Sequence, residues 1–162
     1  MQIKKASSTE DIASVEALAH EIWNEYYPSL ITQEQVDYML DKFQTSSAIT
    51  KQIEEGYLYF LFIQNKKPFG YMSIQKQTNS FFLSKLYIQK SFRRNGFTKK
   101  ALKFLKELAL KQRVTSLYLT VNIGNDIAIK SYEALSFKKS GSIVQDIGNG
   151  FVMDDFRYEL EF

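Results

Sequence analysis

Between Phe81 and Arg113 the chain moves from an apolar run through a polar loop into a helix-period stripe, and that strand, loop and helix unit commits it to a mixed α/β fold. Phe81-Phe82-Leu83-Ser84-Lys85-Leu86-Tyr87-Ile88 reads as a strand. Gln89 to Phe97 is the loop, and Thr98 to Arg113 is a helix with Ala101, Leu102, Leu105, Leu108 and Ala109 turned inward. Upstream, Tyr57 to Ile63 and Phe69 to Ile74 flank the turn Asn65-Lys66-Lys67-Pro68 and predict an antiparallel hairpin, with a further turn at Thr78-Asn79-Ser80. Downstream, Leu117 to Val121 predicts a strand and Asp126 to Leu135 a helix. From Phe137 onward two closing strands are expected on either side of Ile147-Gly148-Asn149-Gly150.

The N-terminal third has a different period. Ile12, Val15, Leu18, Ala19, Ile22 and Tyr26 form a helical stripe that starts at Ser7-Ser8-Thr9 with the acids Glu10 and Asp11 and stops near Pro28. Thr32 with Gln35 suggests a capping box ahead of Val36, Met39, Leu40 and Phe43, and a short third helix is expected from Ser47 to Glu55 before Gly56. Met1-Gln2-Ile3-Lys4-Lys5 runs into a polar segment with no apolar stretch long enough for a signal peptide or a membrane span, so a cytoplasmic location and no membrane partner are expected. No repeat or linker interrupts the 162 residues, and one domain covering 1–162 is the expectation. The sum is a mixed sheet with helices on both faces.

The absence of cysteine excludes disulfides, thiolate nucleophiles and Cys-based metal sites, and the single His20 is too little for an imidazole cluster. No metal site is expected, and any catalysis falls to oxygen acids, amines or backbone. Charge is divided along the chain: Lys85 to Arg113 holds ten Lys and Arg and one acid, Glu107, so it carries +9 while the remainder carries −6. Two partners of opposite charge would suit such a division.

The loop Gln89-Lys90-Ser91-Phe92-Arg93-Arg94-Asn95-Gly96-Phe97-Thr98 joins a buried strand to a helix N-terminus, where unpaired N–H groups and the helix dipole favour an anion. Gly96 allows close backbone approach to a phosphate. The P-loop ending in Gly-Lys-Ser/Thr is absent, as is the three-glycine dinucleotide fingerprint, so ATP and NAD fit poorly.

These residues resemble the GCN5-related N-acetyltransferase (GNAT) superfamily. Its loop reads Arg/Gln-x-x-Gly-x-Gly/Ala, matched by Arg93-x-x-Gly96 with Thr98 departing at the last position. Leu83 to Ile88 resembles the family's central strand. Downstream, Asn125, Ala128, Tyr132 and Phe137 are similar to Asn-x-x-Ala-x-x-x-Tyr-x-x-x-Gly-Phe, with Ser136 in place of glycine.

The resemblance implies a mostly antiparallel central sheet splayed between the strands ending at Ile88 and Asn122, with acetyl-CoA wedged into the gap as co-substrate. It places the thioester and pantetheine against Leu86, Tyr87 and Ile88. The phosphates would lie on Arg93, Arg94, Asn95, Gly96, Phe97, Thr98 and Lys99, with further contacts to Asn125 and Ala128 and cations at Lys90, Lys100 and Lys103. The Tyr132 hydroxyl is implied as the general acid that protonates the departing thiolate. A homodimer is common in the family.

The acceptor is expected to be a primary amine, on a small molecule or a peptide. A polyamine or other cationic amine is suggested by the charge division, by Glu21, Glu25, Glu34, Asp37, Asp154 and Asp155 as acidic candidates, and by the likeness of Gly148 to Phe156 to polyamine-acetyltransferase relatives. The alternatives are acetylation of a protein N-terminus or lysine, and a non-catalytic acyl-CoA-binding module signalled by Thr98 and Ser136. Nucleic acid is not expected, because the same cations are needed for the CoA phosphates and no recognition motif is present. The general base is left open, and Trp23, Tyr26 and Tyr27 read either as an acceptor wall or as core.

Overall fold

The computed structural model describes all residues from Met1 to Phe162. After a short first strand come three helices: α1 (Thr9–Tyr26), α2 (Gln33–Phe43) and α3 (Ser46–Glu54). The sheet strands are β1 (Gln2–Lys5), β2 (Tyr57–Gln64), β3 (Lys67–Lys76), β4 (Ser80–Ile88), β5 (Ser116–Asn122), β6 (Lys138–Gly148) and β7 (Phe151–Glu161). Helix α4 (Phe97–Gln112) links β4 to β5, and α5 (Asp126–Ala134) follows β5.

Local chemistry fixes the helix starts. Ser8 and Asp11 form a full capping box on α1, and Lys4 donates to Asp11 at 2.7 Å, a hydrogen bond that holds the Asp11 carboxyl below its usual range. At α2 the expected box is half made: Thr32 Oγ1 accepts from the Gln35 N–H at 3.2 Å, but the Gln35 side chain turns away and donates to the Val152 carbonyl at 3.1 Å. The tip of the closing hairpin recruits it. Thr45 caps α3, one residue earlier than the sequence pattern suggests.

Strand β1 is the element the sequence reading did not foresee. Its four residues pair antiparallel with Phe60 to Ile63 of β2 at the sheet edge, and only Ile3 is even half-buried, so the segment carries no alternating pattern.

The sheet order is β1-β2-β3-β4-β5-β7-β6, and every neighbouring pair is antiparallel except β4 with β5. One face packs against α1, α2 and α3 through Tyr59, Leu61 and Tyr71, which meet Val15, Ala19, Ile22, Val36 and Ile49. The other face packs against α4 through Phe60, Met72, Ile74, Phe81, Leu117 and Leu119, which meet Ala101, Leu105 and Ala109, with α5 alongside through Ala128, Ile129 and Tyr132. Each such fully buried side chain contributes about 1.5–3 kcal/mol. The alternation along β2 and β3 thus serves two cores at once, one per face. No helix is long and apolar enough to cross a membrane.

Two features of β4 position the site. The register with β3 slips so that Ser73 pairs with Lys85 and Ile74 with Leu83, leaving Ser84 as a bulge. Pairing with β5 covers only Ser80–Phe82 against Ser116–Tyr118, after which the two strands part. Gly70 lets the far end of β4 come close, since a Cβ there would lie 2.6 Å from the Tyr87 carbonyl oxygen and 3.2 Å from Ile88 Cα.

Candidate active site

Where β4 and β5 part, a cleft of about 800 Å³ opens, lined on one side by Leu83 to Ile88 apart from Lys85, which is buried against Gln52 and Tyr59, and on the other by Leu119 to Asn122. Past Phe82 the main chain of β4 that faces β5 has no strand partner. Its N–H and C=O groups are available to a bound molecule carrying amides of its own. Leu86, Tyr87 and Ile88 all line the cleft as expected.

The loop after β4 closes one end. Arg94 and Gly96 take left-handed conformations, with φ of 63° and 72°, and the N–H groups of Arg94, Asn95 and Gly96 find no acceptor within the protein. Helix α4 then begins at Phe97 with no side-chain cap, whereas Ser8, Thr32, Thr45 and Asn125 cap the other helices. Arg93, Arg94, Gly96, Phe97, Thr98 and Lys99 line the cleft, so unpaired donors and the positive end of the α4 dipole converge there.

Two loop residues are also engaged within the protein. Asn95 does not line the cleft; its amide donates to the Phe92 and Arg93 carbonyls and braces the turn. Arg93 is half-buried, and its guanidinium is engaged within the protein. Nε donates to the Ile88 carbonyl at 2.9 Å, Nη2 pairs with Glu25 at 2.7 Å, and the group lies 5.2 Å from the Tyr26 ring centre. It locks the loop to α1 and to the end of β4.

Asn125 is buried and caps α5, with Oδ1 accepting from the Ala128 N–H at 3.2 Å and from the Tyr26 hydroxyl. Ala128 and Tyr132 lie along α5 and line the cleft with it. The Tyr132 ring packs edge-on against Phe137 at 5.4 Å, and burial, with Tyr27 and Tyr26 nearby, pushes its hydroxyl well above the ordinary phenol range. It therefore stays protonated at neutral pH. Ser136 adopts φ 70° just beyond α5, the left-handed conformation that a glycine would take without strain.

Past Tyr132 the cleft becomes aromatic. Trp23 sits 4.4 Å from Tyr27, and Tyr27 meets Tyr87 edge-on at 6.3 Å. Burial pushes the Tyr27 hydroxyl up to about 12, with a hydrogen bond to Tyr87 opposing. Trp23 and Tyr27 are therefore both core and cleft lining, and Tyr26 lines the cleft beside them. Of the acidic candidates only Asp155 lines the cleft. Glu25 is held by Arg93 and Lys90, Glu21 accepts from Gln89, and Asp37 accepts from Gln33. Three of the six acidic candidates, Glu21, Glu25 and Asp37, are thus already engaged by neighbouring side chains.

Asp155 is 5% exposed, and burial raises its carboxyl to about 6, with the Thr120 hydroxyl opposing and Asp154 adding to the rise. Met39, Met153, Ile31 and Thr120 also face the cleft. In the sequence Met39 reads as a helix core position and Thr120 as a strand position, and nothing local marks any of the four as cleft lining. No group of three or more His, Asp or Glu side chains is placed to hold a metal ion.

A split sheet, a donor-rich loop at an uncapped helix and a protonated tyrosine between them define an acyl-CoA-dependent N-acetyltransferase. The chain belongs to the acetyltransferase (GNAT) family, whose sequence profile matches residues 16–137. Among solved structures, the PaiA N-acetyltransferase of Thermoplasma acidophilum in complex with coenzyme A is 18% identical, with a TM-score of 0.80 over 100% of both chains. A GCN5-related N-acetyltransferase from Rhodopseudomonas palustris gives a TM-score of 0.82 at 12% identity, over 99% of this chain and 95% of that one. The ribosomal-protein-S18-alanine N-acetyltransferase of Escherichia coli gives 0.72 at 19% identity, over 99% and 92%. At these identities the likeness is one of fold.

Proposed function

We propose that the protein moves an acetyl group from acetyl-CoA to a primary amine, with the co-substrate held in the cleft between β4 and β5. The observation that carries this reading is the unpaired stretch of β4 leading directly to the free N–H groups of Arg94 to Gly96 and the uncapped start of α4. A long ligand with amides at one end and a pyrophosphate at the other matches that order of donors and acceptors. Leu86 to Ile88 would pair with pantetheine and polarise the thioester carbonyl, while Arg94, Gly96, Phe97, Thr98 and Lys99 would take the phosphates. Arg93 would act by holding the loop in shape.

In the reaction the amine nitrogen attacks the thioester carbon, the C–N bond forms, the C–S bond breaks, and the Tyr132 hydroxyl protonates the leaving sulfur. The amine gives up a proton in turn. Isothermal calorimetry with acetyl-CoA, together with product detection on a panel of alkylamines, polyamines and peptides, tests the reading. Micromolar binding with turnover of at least one amine is expected; binding without turnover of any amine would leave an acyl-CoA-binding module instead.

A further inference from the structure

A second groove of about 420 Å³ crosses the sheet on the face that carries α1 to α3, over the part of β5, β7 and β6 that no helix covers. Its floor is Phe82 stacked on Tyr118 at 5.0 Å, with the Arg157 guanidinium 4.0 Å from the Tyr118 ring centre. Gly141, Ser142, Ile143 and Gln145 of β6 form its outer side. This groove shares only Thr120 and Asp155 with the main cleft. Asp155 is therefore a buried carboxylate at the junction of two hollows that approach it from different directions.

We propose that the acceptor amine travels along this second groove, is seated by Asp155 at its inner end, and gives its proton to that carboxylate before attacking the acetyl group. The inference rests on the acetyl-transfer reading above. With acyl-CoA filling the main cleft, the amine needs a path that the co-substrate does not block, and this groove supplies one. An ammonium head is drawn inward because Arg157, paired with Glu159 at 3.1 Å, leaves the outer groove near neutral while Asp155 carries the inner charge. The aromatic floor and the small side chains of β6 suit a slender chain ending in a single primary amine.

The step balances: the ammonium proton passes to the Asp155 carboxylate, the freed nitrogen forms the C–N bond, the C–S bond breaks as the sulfur takes the Tyr132 proton, the nitrogen's second proton restores the Tyr132 hydroxyl, and Asp155 returns its proton to solvent. Groups facing Asp155 are few. They are Asp154 and Arg157 of its own strand and Tyr27 from the turn after α1, while β5 presents Thr120 and Asn122 and β6 presents Ile143, none of them titratable. Burial raises the Asp155 carboxyl to about 6, so it is ionised and able to accept a proton above that pH.

Two variants test the proposal, each measured with acetyl-CoA affinity as a control. Asp155→Asn should lower kcat/KM for the amine by on the order of 100-fold, abolish the rise in rate through about pH 6, and leave acetyl-CoA affinity unchanged. Gly141→Trp fills the groove where a Cβ meets nothing within 4 Å, and it should raise the amine KM by about tenfold or more with acetyl-CoA binding intact. A wild-type protein that binds acetyl-CoA but acetylates no amine overturns the transfer reading and this inference with it. An active wild type whose Asp155→Asn form keeps its rate and pH profile overturns the role of Asp155 alone, and an unchanged KM in Gly141→Trp overturns the route.

Discussion

Tyr26, at the end of α1, donates from its hydroxyl to Oδ1 of Asn125, the cap of α5, at 2.5 Å across 99 residues of sequence. The two helices sit on opposite faces of the sheet, so this bond and the Arg93 contacts to Glu25 and Tyr26 clasp the cleft at its mouth. Replacing Tyr26 by Phe removes the donor while Asn125 keeps its cap. A loss of about 1 kcal/mol is expected, a fall in melting temperature of roughly 2–4 °C, with faster dissociation of acetyl-CoA in stopped-flow traces. An unchanged melting temperature would show that the clasp contributes nothing.

Gly96→Val tests the loop. With φ at 72° and open space around the site, the added side chain costs backbone strain of about 1–2 kcal/mol and no clash within the protein. Acetyl-CoA affinity should fall far more than stability does if, as proposed, the phosphates approach the loop at this residue. Calorimetry beside thermal melts separates the two, and parallel losses would place the phosphates elsewhere.

Tyr132→Phe should lower the single-turnover rate of acetyl transfer by roughly ten- to ten-thousand-fold while acetyl-CoA affinity stays within a factor of about two. The hydroxyl is held protonated by burial, so the wild-type rate should show no loss attributable to this tyrosine up to about pH 9. A rate that survives the substitution reduces Tyr132 to packing against Phe137.

Asp155 also leaves a mark on stability. Its folded-state carboxyl titrates near 6, above the ordinary value of 3.8, so between those pH values the folded chain binds more protons than the unfolded one. Stability therefore falls as pH rises through that window, and the full penalty is present above about 6. Asp155→Asn escapes it: the variant should be more stable by about 1–2 kcal/mol at pH 7.5 and close to wild type at pH 4. Melting curves at the two pH values decide, and a variant less stable at pH 7.5 contradicts the sign.

Much of this was legible in sequence because the relevant constraints are local. The loop glycine Gly96, the Asn125-to-Phe137 motif and the strand-to-helix switch after Ile88 each need only a few neighbouring residues to be seen. The contacts of Arg93 to Glu25 and Tyr26 were not legible because those partners lie far away in the chain. The engagement of the acidic candidates was hidden for the same reason: charge counting sees Glu21, Glu25 and Asp37 but not the side chains that bind them. β1 went unseen because an edge strand with one half-buried residue has no period to detect. The bulge at Ser84 arises from register with β3, which no local pattern encodes.

The parting of β4 from β5 has a thermodynamic corollary. A ligand that pairs with the bare edge of Leu83 to Ile88 acts as a missing rung of the sheet, so saturating it and folding the protein are linked equilibria. Ligand at about a hundred times its dissociation constant would add roughly 2.7 kcal/mol to the unfolding free energy, and the resting protein would carry its weakest seam through the middle of its own sheet.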